Sequence, residues 1–190
     1  FYDILDGPLE QRRGPLTSEG DELPEFPRLV VPFGRARFGR LRRLIDAINS
    51  QRPVVSVLVV CTGNSARSQM AEGFLGAYGQ GRVEALSAGI APKGLNPHAV
   101  AVMAEKGIDI SGHASKPFDE AVAERMDYVI TVCGDAESRC PALSPSVRRL
   151  HWPLADPAGV TGDERAVREA FLRSRDEIER LVRDFLSSLG

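Results

Sequence analysis

The sequence predicts an α/β domain in three layers, with a four-stranded parallel sheet flanked by helices and preceded by an N-terminal extension. Residues 54–60 form a nearly unbroken apolar run, as expected for a strand that is buried on both faces of a parallel sheet. Three shorter strand patterns follow, and segments with helical periodicity separate them. Strands that alternate with helices are typical of α/β proteins whose sheet is mostly parallel.

The sequence supports each predicted element in turn. We predict strands at 54–60, 83–88, 128–132 and 148–151. We predict helices along the apolar positions between Met70 and Tyr78, at 96–107, at 119–125 and across the apolar stripe between Val167 and Phe185. Asn96 and Pro97 are typical of a helix start, and Gly107 is typical of a helix end. Thr161 and Glu164 match a capping box and predict the start of the last helix.

Residues 1–52 differ from the rest and are predicted to form an extension outside the α/β domain at 53–190. Five prolines with acidic residues between them predict an extended arm without a core of its own. Six arginines and no acid lie between Arg28 and Arg43, and apolar residues at helical spacing predict a short basic amphipathic helix near 36–50. Two interpretations stay open. One is a helix or linker that docks on the domain; the other is a contact with a partner, an anionic surface or an upstream part of a larger fused protein.

Composition narrows the class of protein. The net charge of −2 provides no overall attraction to nucleic acid or membranes, and no apolar run approaches the roughly 18 residues that a membrane span needs. Three cysteines are too few for a secreted disulfide scaffold, so we expect a reducing cytoplasm, where clustered cysteines are catalytic or bind metal.

A zinc site is the alternative explanation for the three cysteines, but tetrahedral zinc sites usually take close pairs of ligands. His98, His113 and His151 lack that spacing, so we predict no metal site.

A loop between the first strand and the first helix carries the strongest chemical signal. It follows Cys61 and consists of Thr62, Gly63, Asn64, Ser65, Ala66, Arg67 and Ser68. A cysteine followed six residues later by arginine occurs again at Cys133 and Arg139, but that second segment encloses two acids that would repel an oxyanion. The first segment encloses no acid, and Gly63 provides backbone freedom. The first segment is therefore the candidate oxyanion site.

The chemistry of this loop follows from its position at a helix start. Successive backbone N–H groups form a concave nest, and the helix dipole adds favourable potential for a tetrahedral dianion. Arg67 can bind two oxygens in bidentate fashion, which a lysine could not do. The same field stabilises a thiolate at Cys61, and Ser68 is placed to donate a hydrogen bond to that sulfur. The loop predicts a cysteine nucleophile beside a bound oxyanion.

These residues carry a resemblance to a known family. The string from Val57 to Phe74 resembles the active-site loop of low-molecular-weight tyrosine phosphatases and, more closely, that of the thioredoxin-coupled arsenate reductases that share their fold. The likeness continues through Ser87–Ile90, Asn96–Pro97, Asp109–Ser111, Val132–Ala136 and Asp156–Gly159, and covers roughly residues 54–188. The resemblance implies the phosphatase-like fold and a catalytic domain at 53–190.

The resemblance also implies a mechanism for reducing arsenate to arsenite. Cys61 attacks arsenic, Asp156 protonates the departing oxygen, and Cys133 attacks Cys61 to release arsenite. Cys140 then resolves the resulting disulfide into a Cys133–Cys140 pair, which thioredoxin reduces. Phosphate and sulfate are expected to compete with arsenate. Two alternatives stay open: a tyrosine phosphatase, which needs only Cys61, Arg67 and Asp156, and a non-catalytic oxyanion or redox sensor domain.

A cation site is part of the same resemblance. Some arsenate reductases of this kind hold potassium near the loop, with side chains that match Asn64, Glu72 and Ser87. The remaining acidic position is Lys116 in this sequence. Its ammonium group could stand where the cation would, although an exposed lysine without that role is an equal interpretation. We therefore expect no bound cofactor and no potassium requirement.

The spacing of the last two cysteines predicts a conformational change. If residues 133–140 were helical, seven residues at about 1.5 Å each would separate the two Cα atoms by about 10 Å. A disulfide tolerates only about 4.4–6.8 Å. Any helix there must unwind when the bridge forms, so we predict a segment from Cys133 to Ser146 that is ordered differently in the reduced and oxidised states.

Overall fold

The structure of the protein is a computed structural model, and it describes residues 54–189. The predicted extension at 1–52, with its helix near 36–50, lies outside these residues. The strands are β1 (Val55–Cys61), β2 (Val83–Gly89), β3 (Tyr128–Thr131) and β4 (Arg148–His151). They form one parallel sheet in the order β2-β1-β3-β4, which confirms the predicted four-stranded parallel sheet.

Five α-helices and a short 3-10 turn connect and flank the strands within residues 54–189. The helices are α1 (Arg67–Tyr78), α2 (Pro97–Ala104), α3 (Glu120–Ala123), α4 (Gly134–Arg139) and α5 (Glu164–Ser188), and the turn is Pro157–Gly159. Asn96 caps α2 as predicted, since its side chain accepts a hydrogen bond from the His98 N–H. The helix ends at Ala104, and the chain turns at Gly107, whose φ of 72° suits glycine.

The predicted capping box at the last helix is wrong. Helix α5 starts three residues after Thr161, and Asp163 is its cap. The Asp163 carboxylate accepts a hydrogen bond from the Ala166 N–H at 2.8 Å. A carboxylate directly before the first turn accepts a hydrogen bond from an otherwise unpaired amide and is stabilised by the positive end of the helix dipole. Asp163 therefore caps the helix instead of Thr161, which lies further from the first turn.

The core lies on both sides of the central strand. Val57, Val59 and Val60 of β1 have no exposed surface, which agrees with a strand covered on both faces. Phe171 and Ile178 of α5 are equally buried. Among residues 54–189, no helix is long and apolar enough to cross a membrane.

The strand order changes its winding direction at β1. The chain passes from β1 to β2 on one side and then crosses to β3 on the other side of β1. In open parallel sheets, ligands bind beyond the carboxyl ends of the strands where the winding direction changes in this way. Val60 is paired with Thr131, so the residues after β1 and those after β3 emerge side by side.

Candidate active site

Cys61 lies at the carboxyl end of the central strand, beneath the predicted oxyanion loop. It is 3% exposed, and its Sγ accepts a hydrogen bond from the Asn64 N–H at 3.0 Å. The Ser68 hydroxyl also lies 3.0 Å from Sγ. Helix α1 begins at Arg67, so the loop runs directly into a helix N-terminus. Hydrogen-bond donors and the helix dipole therefore both favour negative charge on the sulfur.

Asn64 shapes the loop from within. Its φ of 43° lies in the left-handed region, which asparagine tolerates better than most residues, and its side chain is fully buried. Oδ1 accepts from the Lys116 backbone N–H at 2.7 Å and from Gln69 Nε2 at 3.0 Å. Nδ2 donates to Ser68 Oγ at 3.0 Å and to Ser87 Oγ at 2.7 Å. All four bonds that the amide can make are formed, so its orientation is fixed.

The Asn64 bonds determine which way the neighbouring hydroxyls point. Because Ser68 Oγ accepts from Asn64, its own hydrogen is free to point at Cys61. Ser87 Oγ likewise accepts from Asn64 and donates to Glu72 Oε2 at 2.5 Å. A continuous series of hydrogen bonds thus runs from the Glu72 carboxylate to the Cys61 sulfur.

The four residues of the predicted cation site meet at this network. Asn64, Ser87 and Glu72 are joined by hydrogen bonds, and Lys116 Nζ lies 3.5 Å from Glu72 Oε2. Lys116 Nζ also donates to the Ala114 carbonyl at 3.1 Å. A tethered ammonium group thus supplies positive charge beside Glu72.

Gly89, the last residue of β2, permits the loop to pack against the sheet. A Cβ at this position would lie 2.8 Å from both the backbone N and the Cβ of Asn64. Real Cβ atoms do not approach other atoms so closely, so any side chain here would displace the loop. Glycine is required because the backbone of the oxyanion loop passes directly over the strand end.

Arg67 is brought together with Asp156, which lies far away in the sequence. Arg67 is 8% exposed, its Nη1 donates to the Leu154 carbonyl at 3.0 Å, and its Nη2 lies 3.3 Å from Asp156 Oδ1. A guanidinium has five N–H donors, so these contacts leave donors for an oxyanion. Asp156 also caps the turn at Pro157–Gly159 by accepting from the Ala158 N–H at 3.2 Å. Its side chain remains 53% exposed, which leaves it accessible to a substrate.

The second cysteine lies beside the loop. Cys133 follows β3, and its Sγ lies 3.3 Å from the Thr62 hydroxyl. It also accepts from the Ala136 N–H at 3.4 Å, since it caps α4. Thr62 additionally approaches Asp135 Oδ2 at 3.4 Å. The parallel pairing of β1 with β3 therefore places the two segments that carry Cys61 and Cys133 next to each other.

The third cysteine lies at the opposite end of α4. Cys140 is the C-terminal cap of this helix and is 7% exposed. Burial raises the pKa of the Cys140 thiol, and the nearby charge of Arg149 only partly opposes this effect. Burial at the end of α4 thus favours the neutral thiol form of Cys140.

Sequence reasoning missed two residues that support the loop. Gln69 is fully buried and donates to both the Asn64 carbonyl, at 3.1 Å, and the Ala114 carbonyl, at 3.1 Å. His113 Nδ1 lies 3.0 Å from Gln69 Oε1, and burial lowers the pKa of this histidine. A polar residue on the inward face of an apolar helix is the signal that could have identified Gln69.

Within residues 54–189, no three His, Cys, Asp or Glu side chains converge to hold a metal ion.

Comparison with known proteins agrees with this geometry. The arsenate reductase of Bacillus subtilis is 45% identical over 129 residues, which cover 68% of this chain and 93% of that protein. The structure of a thioredoxin-dependent arsenate reductase from Corynebacterium glutamicum aligns with a TM-score of 0.56 and 32% identity, covering 78% of this chain and 71% of that chain. An arsenate reductase in its phosphate binding state aligns with a TM-score of 0.59 and 33% identity, covering 72% of this chain and 100% of that chain.

The family model agrees with these individual matches. The model described as low molecular weight phosphotyrosine protein phosphatase matches residues 56–190, which include the loop after Cys61, Asp156 and the whole parallel sheet. Because this match spans most of the chain, and because relatives at more than 40% identity align over two thirds of it, the protein belongs to the low molecular weight phosphotyrosine protein phosphatase family.

Proposed function

We propose that this protein reduces arsenate to arsenite, with Cys61, Cys133 and Cys140 acting in sequence and thioredoxin as the reductant. The observation that carries the proposal is the placement of three free cysteines from the oxyanion loop to the far end of α4. Cys61 lies under the oxyanion loop, Cys133 lies against Thr62 of that loop, and Cys140 lies at the far end of α4. A phosphatase has no use for the second and third thiols, whereas a two-electron reduction needs a dithiol.

The first step uses the loop and the pair formed by Arg67 and Asp156. The loop amides and Arg67 bind three oxygens of arsenate, and the Cys61 thiolate attacks arsenic to form a sulfur–arsenic bond. One oxygen departs as water after Asp156 delivers a proton to it. Asp156 is near enough to Arg67 to reach an oxygen bound there, since the two side chains lie 3.3 Å apart.

The second step transfers two electrons. The Cys133 thiolate attacks Cys61 Sγ, a disulfide forms between them, and the electron pair of the sulfur–arsenic bond passes to arsenic. Arsenic is thereby reduced from the +5 to the +3 state and leaves as arsenite. The Ala136 N–H donates to Cys133 Sγ at 3.4 Å, and the Thr62 hydroxyl at 3.3 Å places this sulfur beside the oxyanion loop.

The third step moves the disulfide to an accessible place. Cys140 attacks Cys133, Cys61 leaves as a thiolate, and the product is a Cys133–Cys140 pair. Cys61 is 3% exposed, so a protein reductant cannot easily reach it. Unwinding of α4 would carry the new pair toward the surface, where the dithiol of thioredoxin reduces it. This cycle requires a reducing compartment, and we place the protein in the cytoplasm.

A coupled assay tests the proposal. The purified protein, mixed with thioredoxin, thioredoxin reductase, NADPH and arsenate, is expected to consume NADPH over many turnovers. Phosphate added to the same mixture should slow the reaction by competing for the loop. Hydrolysis of p-nitrophenyl phosphate, measured in parallel, reports phosphatase activity at the same site. Arsenate binding without turnover would instead indicate an oxyanion sensor, and rapid ester hydrolysis without NADPH consumption would indicate a phosphatase.

We also expect arsenate turnover to be insensitive to potassium. Lys116 already supplies a positive charge beside Glu72, so exchanging sodium for potassium should change the rate by less than about twofold. The variant Lys116→Asp is expected to gain activation by potassium, because it restores an oxygen ligand next to Glu72 and Ser87. Initial rates in the two chloride salts at equal ionic strength provide the measurement. Strong activation of the parent protein by potassium would contradict the expectation.

A further inference from the structure

Helix α4 is too short to hold its own conformation. It has six residues, and its cross-turn bonds join the Glu137 N–H to the Cys133 carbonyl at 3.0 Å and the Cys140 N–H to the Ala136 carbonyl at 2.9 Å. Ala136 is its only buried residue. Short helices are unstable in water because nucleation costs more than a few hydrogen bonds return. Contacts with the rest of the domain must therefore maintain the helical segment between Cys133 and Cys140.

The Glu137 side chain connects α4 to the sheet by a hydrogen bond and an ion pair. Its carboxylate accepts a hydrogen bond from the Thr131 hydroxyl at the end of β3. The same carboxylate lies 3.3 Å from Arg149 Nη2 and 3.8 Å from His151 Nδ1, both on β4. The hydrogen bond from Thr131 first, and then the charge of Arg149, lower the pKa of Glu137 despite its partial burial. Glu137 is thus a carboxylate at neutral pH, held by groups on two strands.

Arg149 binds the chain on both sides of Cys140. Its Nη1 donates to the Pro141 carbonyl at 3.1 Å, and its Nη2 donates to the Glu137 carbonyl at 3.5 Å. To form a bridge, the Cα atoms of Cys133 and Cys140 must approach from about 10 Å to about 4.4–6.8 Å. Pro141 directly follows Cys140 and Glu137 lies three residues before it, so contraction of this segment is expected to strain both of these contacts.

We infer that Arg149 and Glu137 are positioning residues of the redox step, because their contacts hold the segment Cys133–Cys140 helical and so set how readily Cys140 reaches Cys133. This inference rests on the proposed reduction of arsenate. In the step concerned, the Cys140 thiolate bonds to Cys133 Sγ, the Cys61–Cys133 bond breaks, and Cys61 leaves as a thiolate. Until then, the helix keeps Cys133 from pairing with Cys140 and leaves it reduced for its attack on Cys61.

The equilibrium of the Cys133–Cys140 bridge provides the test. The 190-residue parent protein and the variants Arg149→Met and Glu137→Gln are equilibrated in glutathione buffers, and the bridge is quantified by peptide mapping. Both variants are expected to favour the disulfide about fivefold to tenfold, where tenfold corresponds to about 30 mV. In the fully reduced proteins, the amides of residues 134–140 should exchange hydrogen several-fold faster in the variants than in the parent.

Arg148→Met is the matched control. Arg148 precedes Arg149 on β4, and neighbouring strand residues point to opposite faces. Its guanidinium donates to the Tyr128 hydroxyl at 2.8 Å and lies 5.5 Å from the centre of that ring, so it should leave the bridge equilibrium and the exchange of 134–140 unchanged. Should Arg149→Met fail to fold, Glu137→Gln carries the same test.

The outcomes separate this inference from the proposed function. If the bridge forms but its equilibrium is the same in the parent, Arg149→Met and Glu137→Gln, the positioning role is refuted and the reductase mechanism is not. An equal shift in Arg148→Met would also refute it, since loss of any nearby charge would then suffice. If no Cys133–Cys140 bridge forms in the parent under any buffer, the proposed three-cysteine mechanism fails and this inference fails with it.

Discussion

Replacing Cys140 with serine is expected to abolish steady-state reduction of arsenate while permitting one turnover. Cys61 and Cys133 are still present, so each protein molecule should release one arsenite and stop as a Cys61–Cys133 disulfide. Cys61 is 3% exposed, so thioredoxin should not reach that disulfide at a useful rate. Arsenite released per protein molecule, measured after rapid mixing with excess arsenate and thioredoxin, should level off at one equivalent.

The same variant distinguishes a reductase from a phosphatase. Hydrolysis of p-nitrophenyl phosphate needs Cys61, Arg67 and a general acid, so Cys140→Ser should hydrolyse this ester at the parent rate. Ser138→Ala is a suitable control, because Ser138 lies on the same helix and its hydroxyl contacts only the Asp135 carbonyl among the described residues. Sustained NADPH consumption by Cys140→Ser would show that the third cysteine is incidental.

The second large effect is expected at Asp156. The variant Asp156→Asn should slow the first arsenite-forming turnover by about a hundredfold to a thousandfold, because the departing oxygen would lose its proton donor. A single-turnover measurement is needed, since reduction by thioredoxin could otherwise limit the rate. Asparagine can still accept from the Ala158 N–H, so the turn at Pro157–Gly159 should survive.

Anion binding should respond differently to the Asp156 change. The carboxylate lies 3.3 Å from Arg67, and its removal leaves the guanidinium free for an oxyanion. Phosphate affinity, measured by calorimetry, is therefore expected to be equal to that of the parent or slightly higher. Asp163→Asn is the matched control, since it makes the same substitution at the cap of α5, where asparagine serves equally well. A near-parent rate in Asp156→Asn would remove Asp156 as the acid.

Local sequence rules account for much of the fold. The apolar run at 54–60 predicts β1 within one residue of its observed bounds, Val55–Cys61. Asn96 before Pro97 predicts the start of α2, since both residues suit a helix N-terminus by their own conformational preferences. The capping box fails at Thr161 because several residues in one loop can cap a helix, and packing of the whole helix selects among them.

The oxyanion loop is also a local feature. A cysteine at a strand end, a glycine-containing turn without acids and an arginine at a helix start are all contained in eight consecutive residues, Cys61–Ser68. Successive backbone amides in a turn that leads into a helix N-terminus favour a bound anion. The candidate nucleophile and the candidate oxyanion loop can thus be predicted from the sequence alone.

The remaining parts of the site depend on contacts between distant segments. Thr62 meets Cys133 only because β1 pairs with β3 in the observed register, and Arg67 meets Asp156 only because the chain returns to the same edge of the sheet after β4. Side-chain contacts across a sheet depend on strand order and register, which arise from burial of the whole core rather than from any short stretch of sequence. The sequence by itself determined the first strand, the loop and the positions of the three thiols. The tertiary structure decided which residues surround them, including the hydrogen bonds from Arg149 to the carbonyls of Glu137 and Pro141.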